Sequence, residues 1–303
     1  MTNRVVITGV GAYSPIGNDW PTIEANLRSR RGGVQHIEAW DEYDGLNTKL
    51  GAPVPHFEVP TDFTRKRTRS MGRVALLATA ASEIALRDAG LLDDPVLKSG
   101  RAGVAYGSST GSTDAITDFA NMLLSKTLDG ITATTYIRMM SHTTPVNIGV
   151  FFGLKGRVFT SSSACTSGSQ GIGYAFESVR SGSQDIMVAG GAEELCPTEA
   201  AVFDTLYATS TSNDHPESAP RPFDRDRDGF VTGEGAAILV LEGEEHALKR
   251  GARIYAELLG YGASADAYHI TAPLETGEGA VLAMQAALED ANLKPEDIDY
   301  VNA

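Results

Sequence analysis

The feature that most constrains this chain is an internal repeat. Ala85-Leu86-Arg87-Asp88-Ala89-Gly90-Leu91 is echoed by Ala287-Leu288-Glu289-Asp290-Ala291-Asn292-Leu293, both reading A-L-x-D-A-x-L at the end of a helical stretch. The strand-like run from Arg4 (RVVITG) is echoed in the same order from Arg253 (RIYAELLG). The two echoes are offset by 202 and 249 residues, and the patternless, Gly/Pro-bearing stretch 32–69 is about long enough to account for the 47-residue difference. A duplicated α/β unit is the expectation, since self-similarity in order is the mark of repeated architecture. The first copy runs from residue 4 to about 242 and the second begins at 253, dividing the chain into 1–250 and 251–303. The last residues, Ile298 to Ala303, stop inside or just after a strand-like run, so the second copy reads as cut short.

Between the echoes, strand-like and helix-like segments alternate. Asn18 or Asp19 ahead of Pro21 predicts a capped helix through about Arg28. Ser70 to Ala89 predicts an apolar helix stopped by Gly90. Arg101–Gly107, Val158–Ala164, Asp185–Gly191, Gly235–Leu241 and Ile254–Gly260 read as strands, and Asp299–Val301 as the start of another. Helices are expected over Ser112–Ser125, Cys165–Arg180 and Gly279–Ala291. Gly32 to Phe63 reads as loop or insertion. Strands separated by helices favour a layered, mostly parallel α/β architecture.

Composition removes several classes. The formal net charge of −14 leaves no basic footprint for nucleic acid. No run of ~18 apolar residues is present to span a membrane, and Met1-Thr2-Asn3-Arg4 leads straight into a strand rather than a secretion signal. Two cysteines, Cys165 and Cys196, build neither a disulfide framework nor a four-cysteine zinc site. A cytoplasmic enzyme without metal is the expectation.

The sharpest chemical feature is Thr160-Ser161-Ser162-Ser163-Ala164-Cys165-Thr166-Ser167-Gly168-Ser169-Gln170-Gly171. A strand of small residues runs into a cysteine, and a helix starts there. That position places the sulfur near free N–H groups and the positive end of the helix dipole, which favours a thiolate nucleophile. Small neighbours let a substrate and its oxyanion approach the backbone donors. Cys196, before Pro197, reads as packing.

The histidines offer no ready base. His246 stands among Glu244, Glu245 and Lys249 and reads as solvated; His36, His56 and His215 lie in loops without convergent partners. His142 reads as a cap or packing residue, whereas His269, in a loop after a strand, is the one expected beside a pocket. Asp224-Arg225-Asp226-Arg227-Asp228-Gly229 mimics a calcium loop, but position twelve is Gly235 and two arginines interleave the acids. An ion-paired turn entering a strand fits better. Gly9-x-Gly11 lacks the third glycine of a dinucleotide loop, so no cofactor is expected. Arg65-Lys66-Arg67-Thr68-Arg69 with Arg73 is the dense basic cluster of an acidic chain, placed where a helix dipole disfavours it; an acidic partner docking there explains the placement.

Taken together, VVITGVGAYSPIG at 5–17, SSSACTSGSQGIGYAFESVRSG at 161–182, AGGAEEL at 189–195, RPFDRDRDGFVTGEGAAILVLE at 221–242 and GYGASADAYHITAP at 260–273 resemble the β-ketoacyl-acyl-carrier-protein synthases, condensing enzymes of fatty-acid synthesis. The resemblance implies a thiolase-like fold, layered α-β-α-β-α from two similar halves, here with the second half incomplete. It implies Cys165 as the acyl-accepting nucleophile, whose own N–H is half of an oxyanion hole, and a decarboxylative Claisen condensation with malonyl-carrier protein. Lys66 and Arg69 match carrier-protein docking positions. Thr110 and Phe203 match the acyl pocket, with Thr110 standing where the family carries a larger apolar residue or glycine. Thr271, beside His269, matches the slot for the pantetheine arm. A homodimer paired through about 157–163 is implied as well. The family's two catalytic histidines, its lysine and its gating loop fall beyond Ala303, so the 303-residue form is expected not to complete turnover. Two other readings compete: a non-catalytic carrier-binding or dimerisation fragment, and a thiolase, against which RPFDRDRDGF and DAYHITAP speak.

Overall fold

The computed structural model describes residues 2–302. Strands and helices run in the order β1 (Val5–Tyr13), α1 (Trp20–Arg28), β2 (Gln35–His36), β3 (Leu50–Ala52), α2 (Arg65–Thr68), α3 (Arg73–Asp88), β4 (Ala102–Gly107), α4 (Thr113–Ser125), α5 (Thr135–Met139) and α6 (Thr143–Phe152). They continue with β5 (Val158–Ser161), α7 (Ser167–Arg180), β6 (Ile186–Glu193), α8 (Pro197–Asp204), β7 (Thr232–Gly233), β8 (Gly235–Gly243), α9 (Glu244–Lys249), β9 (Ala256–Leu258) and α10 (Glu278–Ala291). Local signals act as the sequence predicts at several ends. Asp19 caps α1, its carboxylate accepting the Thr22 N–H at 2.9 Å. Gly90, just past α3, takes the left-handed conformation (φ 67°) that ends a helix.

The main sheet has the order β5-β4-β6-β8-β1-β9. Its pairing corrects the expectation of a mostly parallel sheet. β4 runs parallel to β5 and β6, but β8 is antiparallel to both β6 and β1, and β9 is antiparallel to β1. The strand alternation then divides side chains between two helix layers. Val104, Tyr106, Val188 and Ile238 pack with α3 and α6 on one face; Ala105, Met187, Ala189 and Leu241 pack with Ala175, Phe176 and Val179 of α7 on the other.

Two further expectations need correction. The stretch 32–69 is not only loop: β2, β3 and the distant β7 form a small second sheet. Asp299–Val301 forms no strand among the described residues; an extended run gains ladder hydrogen bonds only from a neighbour.

The repeat is a packing device. Cβ atoms on Gly9 and Gly11 would collide with the carbonyls of Ala85 and Ala81, so α3 lies directly on the backbone of β1. Gly260 and Gly262 meet Ala287 and Ala283 of α10 in the same way. Between these glycines Tyr261 turns the other way, its ring over Gly173 of α7 and packed with the core of that face. The layers therefore run α3 and α6, main sheet, α7, the extended segment 260–262, then α10. The first three layers, α-β-α, are complete; beyond them the segment 260–262 forms no strand among the described residues, and of the α-helices only α10 follows it.

Candidate active site

Cys165 sits in the turn between β5 and α7, solvent-exposed. It lies outside the helix that the sequence assigns it to: Thr166 is the N-cap and Ser167 the first helical residue. The turn is held by its own small hydroxyl side chains. The Ser163 N–H donates to Ser167 Oγ at 2.9 Å, Ser167 Oγ donates to the Ala164 carbonyl at 2.6 Å, and Thr166 Oγ1 donates to the Ser163 carbonyl at 2.9 Å. Ala164 is forced to a left-handed φ of 53°. A non-glycine residue rarely adopts that conformation, and such strain gathers at functional sites.

Close backbone contact brings the head of α7 over the strands. A Cβ on Gly107, the last residue of β4, would strike Ser167, and one on Gly191 of β6 would lie 2.9 Å from Gly168 Cα. Cys165 thus stands at the carboxyl ends of parallel strands, where ligands bind in open α/β sheets.

Cys165 opens onto a cavity of about 940 Å³. Thr110 and Phe203, both expected at an acyl pocket, line it. So do residues the sequence reading did not single out: Glu193, Glu199, Val202 and Phe230. Phe230 belongs to the acidic turn, whose Arg225–Asp226 pair (3.1 Å) is exposed and which leads into β7. Its ring stands edge-on to Phe203, centroids 4.9 Å apart. Glu193 ends β6 and accepts from the Ser109 N–H at 2.5 Å, while Glu199 lies in the first turn of α8. Burial, with the charge of Glu193 second, pushes the Glu199 carboxyl up to about 7. The signal available in sequence was position alone: acids just past an apolar strand, AGGAEE, at a strand's carboxyl end.

His269 and Thr271 line a separate cavity of about 480 Å³, which shares Ser169 with the first. His269 Nδ1 accepts from the Thr271 and Ala272 N–H groups at 3.1 and 3.0 Å, fixing the loop. No histidine lines the Cys165 cavity among the described residues. His246 is not merely solvated: its Nδ1 bonds the fully buried Glu242, which also pairs with Arg250 at 2.7 Å and accepts from Thr8 Oγ1 at 2.9 Å. His36 likewise has a partner, Asp41 at 3.0 Å. Cys196 is buried, its Sγ 3.1 Å from Thr198 Oγ1, and burial raises its thiol pKa.

The basic cluster divides by role. Arg67 donates to the Phe151 carbonyl at 2.9 Å with its guanidinium over that ring, and Arg73 pairs bidentately with buried Glu234. Lys66 and Arg69, on and beside the short α2, stay exposed.

The profile of the β-ketoacyl synthase N-terminal domain matches residues 2–247, and that of the C-terminal domain matches 255–303. Over 99% of its length the chain is 40% identical to 3-oxoacyl-(acyl-carrier-protein) synthase 2 of Vibrio cholerae serotype O1, covering 72% of that protein. It is 37% identical to a mitochondrial synthase of Arabidopsis thaliana, covering 69% of it. A crystal structure of a β-ketoacyl synthase from Burkholderia phymatum STM815 superposes with a TM-score of 0.96 at 53% identity, over 99% of this chain and 73% of that one. A type II polyketide ketosynthase solved with its acyl-carrier protein and a hexaketide gives 0.85 at 31% identity, over 99% and 72%.

Proposed function

The chain belongs to the β-ketoacyl synthase family, and on that premise we propose that it serves as the acyl-accepting part of a 3-oxoacyl-acyl-carrier-protein synthase. The single observation that carries this reading is Cys165 on a strained turn, opening into a cavity walled by Thr110 and Phe203. The Cys165 sulfur attacks the thioester carbonyl of an acyl-carrier protein and forms a new C–S bond. The bond to the pantetheine sulfur breaks, and that thiolate takes the proton that Cys165 gave up. The Cys165 N–H supports the transient oxyanion. In the following step malonyl-carrier protein loses carbon dioxide. The electron pair left on carbon attacks the Cys165 thioester, the C–S bond breaks, and the thiolate is restored.

Supporting partners follow from the surface. Lys66 and Arg69 present exposed positive charge for the acidic carrier, and Thr271 with His269 offers the adjoining cavity to the pantetheine arm. β5 is an edge strand with Val158 44% exposed, and Val150 of α6 is 77% exposed, which suits pairing with a second copy. The division at about residue 250 rests on the glycine-on-helix repeat. Cytoplasmic placement fits two unpaired cysteines.

The half-reaction that Cys165 and its cavity support directly is acylation. The test is intact-mass spectrometry after mixing the 303-residue protein with acyl-carrier-protein thioesters. A one-acyl adduct that vanishes in Cys165→Ala supports the reading, and absence of any adduct overturns it. Release of 3-oxoacyl product after malonyl-carrier protein is added extends the reading from acylation to the full condensation. A carrier that binds without acylating Cys165 favours the second reading, a binding fragment.

A further inference from the structure

Three polar side chains from three separate elements meet on the wall of the Cys165 cavity. Thr110 lies in the loop after β4, Glu193 ends β6, and Glu199 sits in the first turn of α8. Thr110 Oγ1 is 3.2 Å from Glu193 Oε1 and 3.0 Å from Glu199 Oε1. A hydroxyl has one proton to give, so both contacts are hydrogen bonds only if one carboxyl is itself protonated. Both oxygens of Glu193 already accept, Oε2 from the Ser109 N–H at 2.5 Å and Oε1 from Ser108 Oγ at 3.1 Å, so Glu193 is placed as an acceptor. The proton therefore belongs to Glu199, consistent with the rise of its pKa by burial and by Glu193 and Glu194. The chain of bonds runs from Glu199 O–H to Thr110 Oγ1, and from Thr110 O–H to Glu193.

That arrangement leaves Glu199 Oε2 without a hydrogen-bond partner among the described residues, on a residue that lines the cavity. The surrounding wall is apolar, formed by Val202, Phe203 and Phe230. A polar acceptor in an apolar pocket orients a ligand that brings a donor and disfavours one that does not, because a saturated chain would cover it unpaired.

We propose that the Thr110–Glu199 pair determines acyl specificity, selecting chains that carry a hydroxyl over saturated chains of equal length. The proposal rests on the reading of Cys165 as acyl acceptor. Its chemistry adds no step to acyl transfer; the hydroxyl donates to Glu199 Oε2 while the thioester carbonyl reacts at Cys165.

The test is a competition on the 303-residue chain between octanoyl-carrier protein and a panel of octanoyl thioesters hydroxylated at internal or terminal carbons. Adducts on Cys165 are distinguished by mass. At least one hydroxylated isomer is expected to acylate faster by about tenfold or more, as sites built to bond a hydroxyl discriminate strongly. Glu199→Gln, which keeps an acceptor and a donor to Thr110, should retain the preference. Glu199→Leu should abolish it and speed octanoyl transfer. Equal or slower reaction of every hydroxylated isomer overturns the proposal while leaving Cys165 as acceptor. No adduct from any thioester overturns the acceptor reading as well. The comparison in the unmodified chain decides the matter even if Glu199→Leu does not fold.

Discussion

Asp88 and Asp290 make the same bond in two places. Asp88 Oδ2 accepts the N–H of Val10, which lies between Gly9 and Gly11; Asp290 Oδ2 accepts the N–H of Tyr261, which lies between Gly260 and Gly262; both bonds measure 3.0 Å. The aspartate of A-L-x-D-A-x-L is thus the residue that ties each helix end to its strand. Each carboxylate keeps a second partner of its own, Tyr255 Oη at 2.9 Å for Asp88 and Arg180 at 2.6 Å for Asp290.

Asp290→Ala should destabilise the fold by about 1–3 kcal/mol, since it frees both the Tyr261 N–H and the half-buried Arg180 guanidinium. Asp88→Ala should cost a similar amount. With no shared partner, the double variant should show the sum. Urea midpoints check this, and an unchanged midpoint for Asp290→Ala would show that α10 is held by other contacts.

The buried carboxylate of Glu242 depends on its cations. Burial alone would raise its pKa, but Arg250, then His246 and Thr8, bring the net shift below the ordinary carboxylate value. Removing the guanidinium in Arg250→Met leaves a buried charge short of its bidentate partner and should cost about 3–5 kcal/mol. Arg250→Met/Glu242→Gln should recover much of that loss. Thermal melts of the two variants give the comparison.

Glu199 makes stability fall with rising pH. Its folded-state pKa of about 7 stands above its ordinary 4.5, so the native state holds more protons than the unfolded chain between those values. Its contribution is fully present below the lower value and is lost as pH rises through the upper one. With the group only partly buried and screened by solvent, the loss is on the order of 1–2 kcal/mol. Glu199→Gln should flatten this limb when urea midpoints are compared at about pH 5 and about pH 8.

Charge reversal at the exposed pair, Lys66→Glu with Arg69→Glu, should weaken binding of an acidic carrier protein by about tenfold at low salt and less at high salt. Arg67→Glu should instead lower the melting temperature, because Arg67 caps the Phe151 carbonyl and covers its ring. Titration calorimetry at two ionic strengths separates docking from folding. Unchanged affinity in the double reversal would place the carrier elsewhere.

Much of this architecture was readable in local pattern. Asp19 as cap, Gly90 as stop and the small-residue turn around Cys165 are each determined by residues within a few positions of one another, and the repeat shows as one short pattern met twice. Strand direction is not: nothing within GAAILVL says that β8 runs antiparallel between β6 and β1, because direction is decided by where the chain returns. Strands of two or three residues, such as β2 and β7, carry no period to detect. Contacts made across the fold were also silent. Glu242 meets Thr8 from the far end of the chain, Arg73 finds Glu234 only in three dimensions, and Glu199 becomes part of the cavity wall only once α8 is laid against the loop after β4.

The Cys165 cavity takes its wall from five stretches: residues 12–14, 107–110, 164–172, 190–203 and 230–237. The turn at Cys165 closes over a few neighbouring residues, but the room in front of it requires pairings more than two hundred positions apart. Such long-range closures come late, since loop entropy opposes them until the surrounding sheet exists. A partly folded chain would therefore carry an accessible sulfur without a chamber. On the proposal that Cys165 accepts acyl groups, general thiol reagents would label it early and acyl thioesters only at the end, making acyl transfer a clock for completion of the fold.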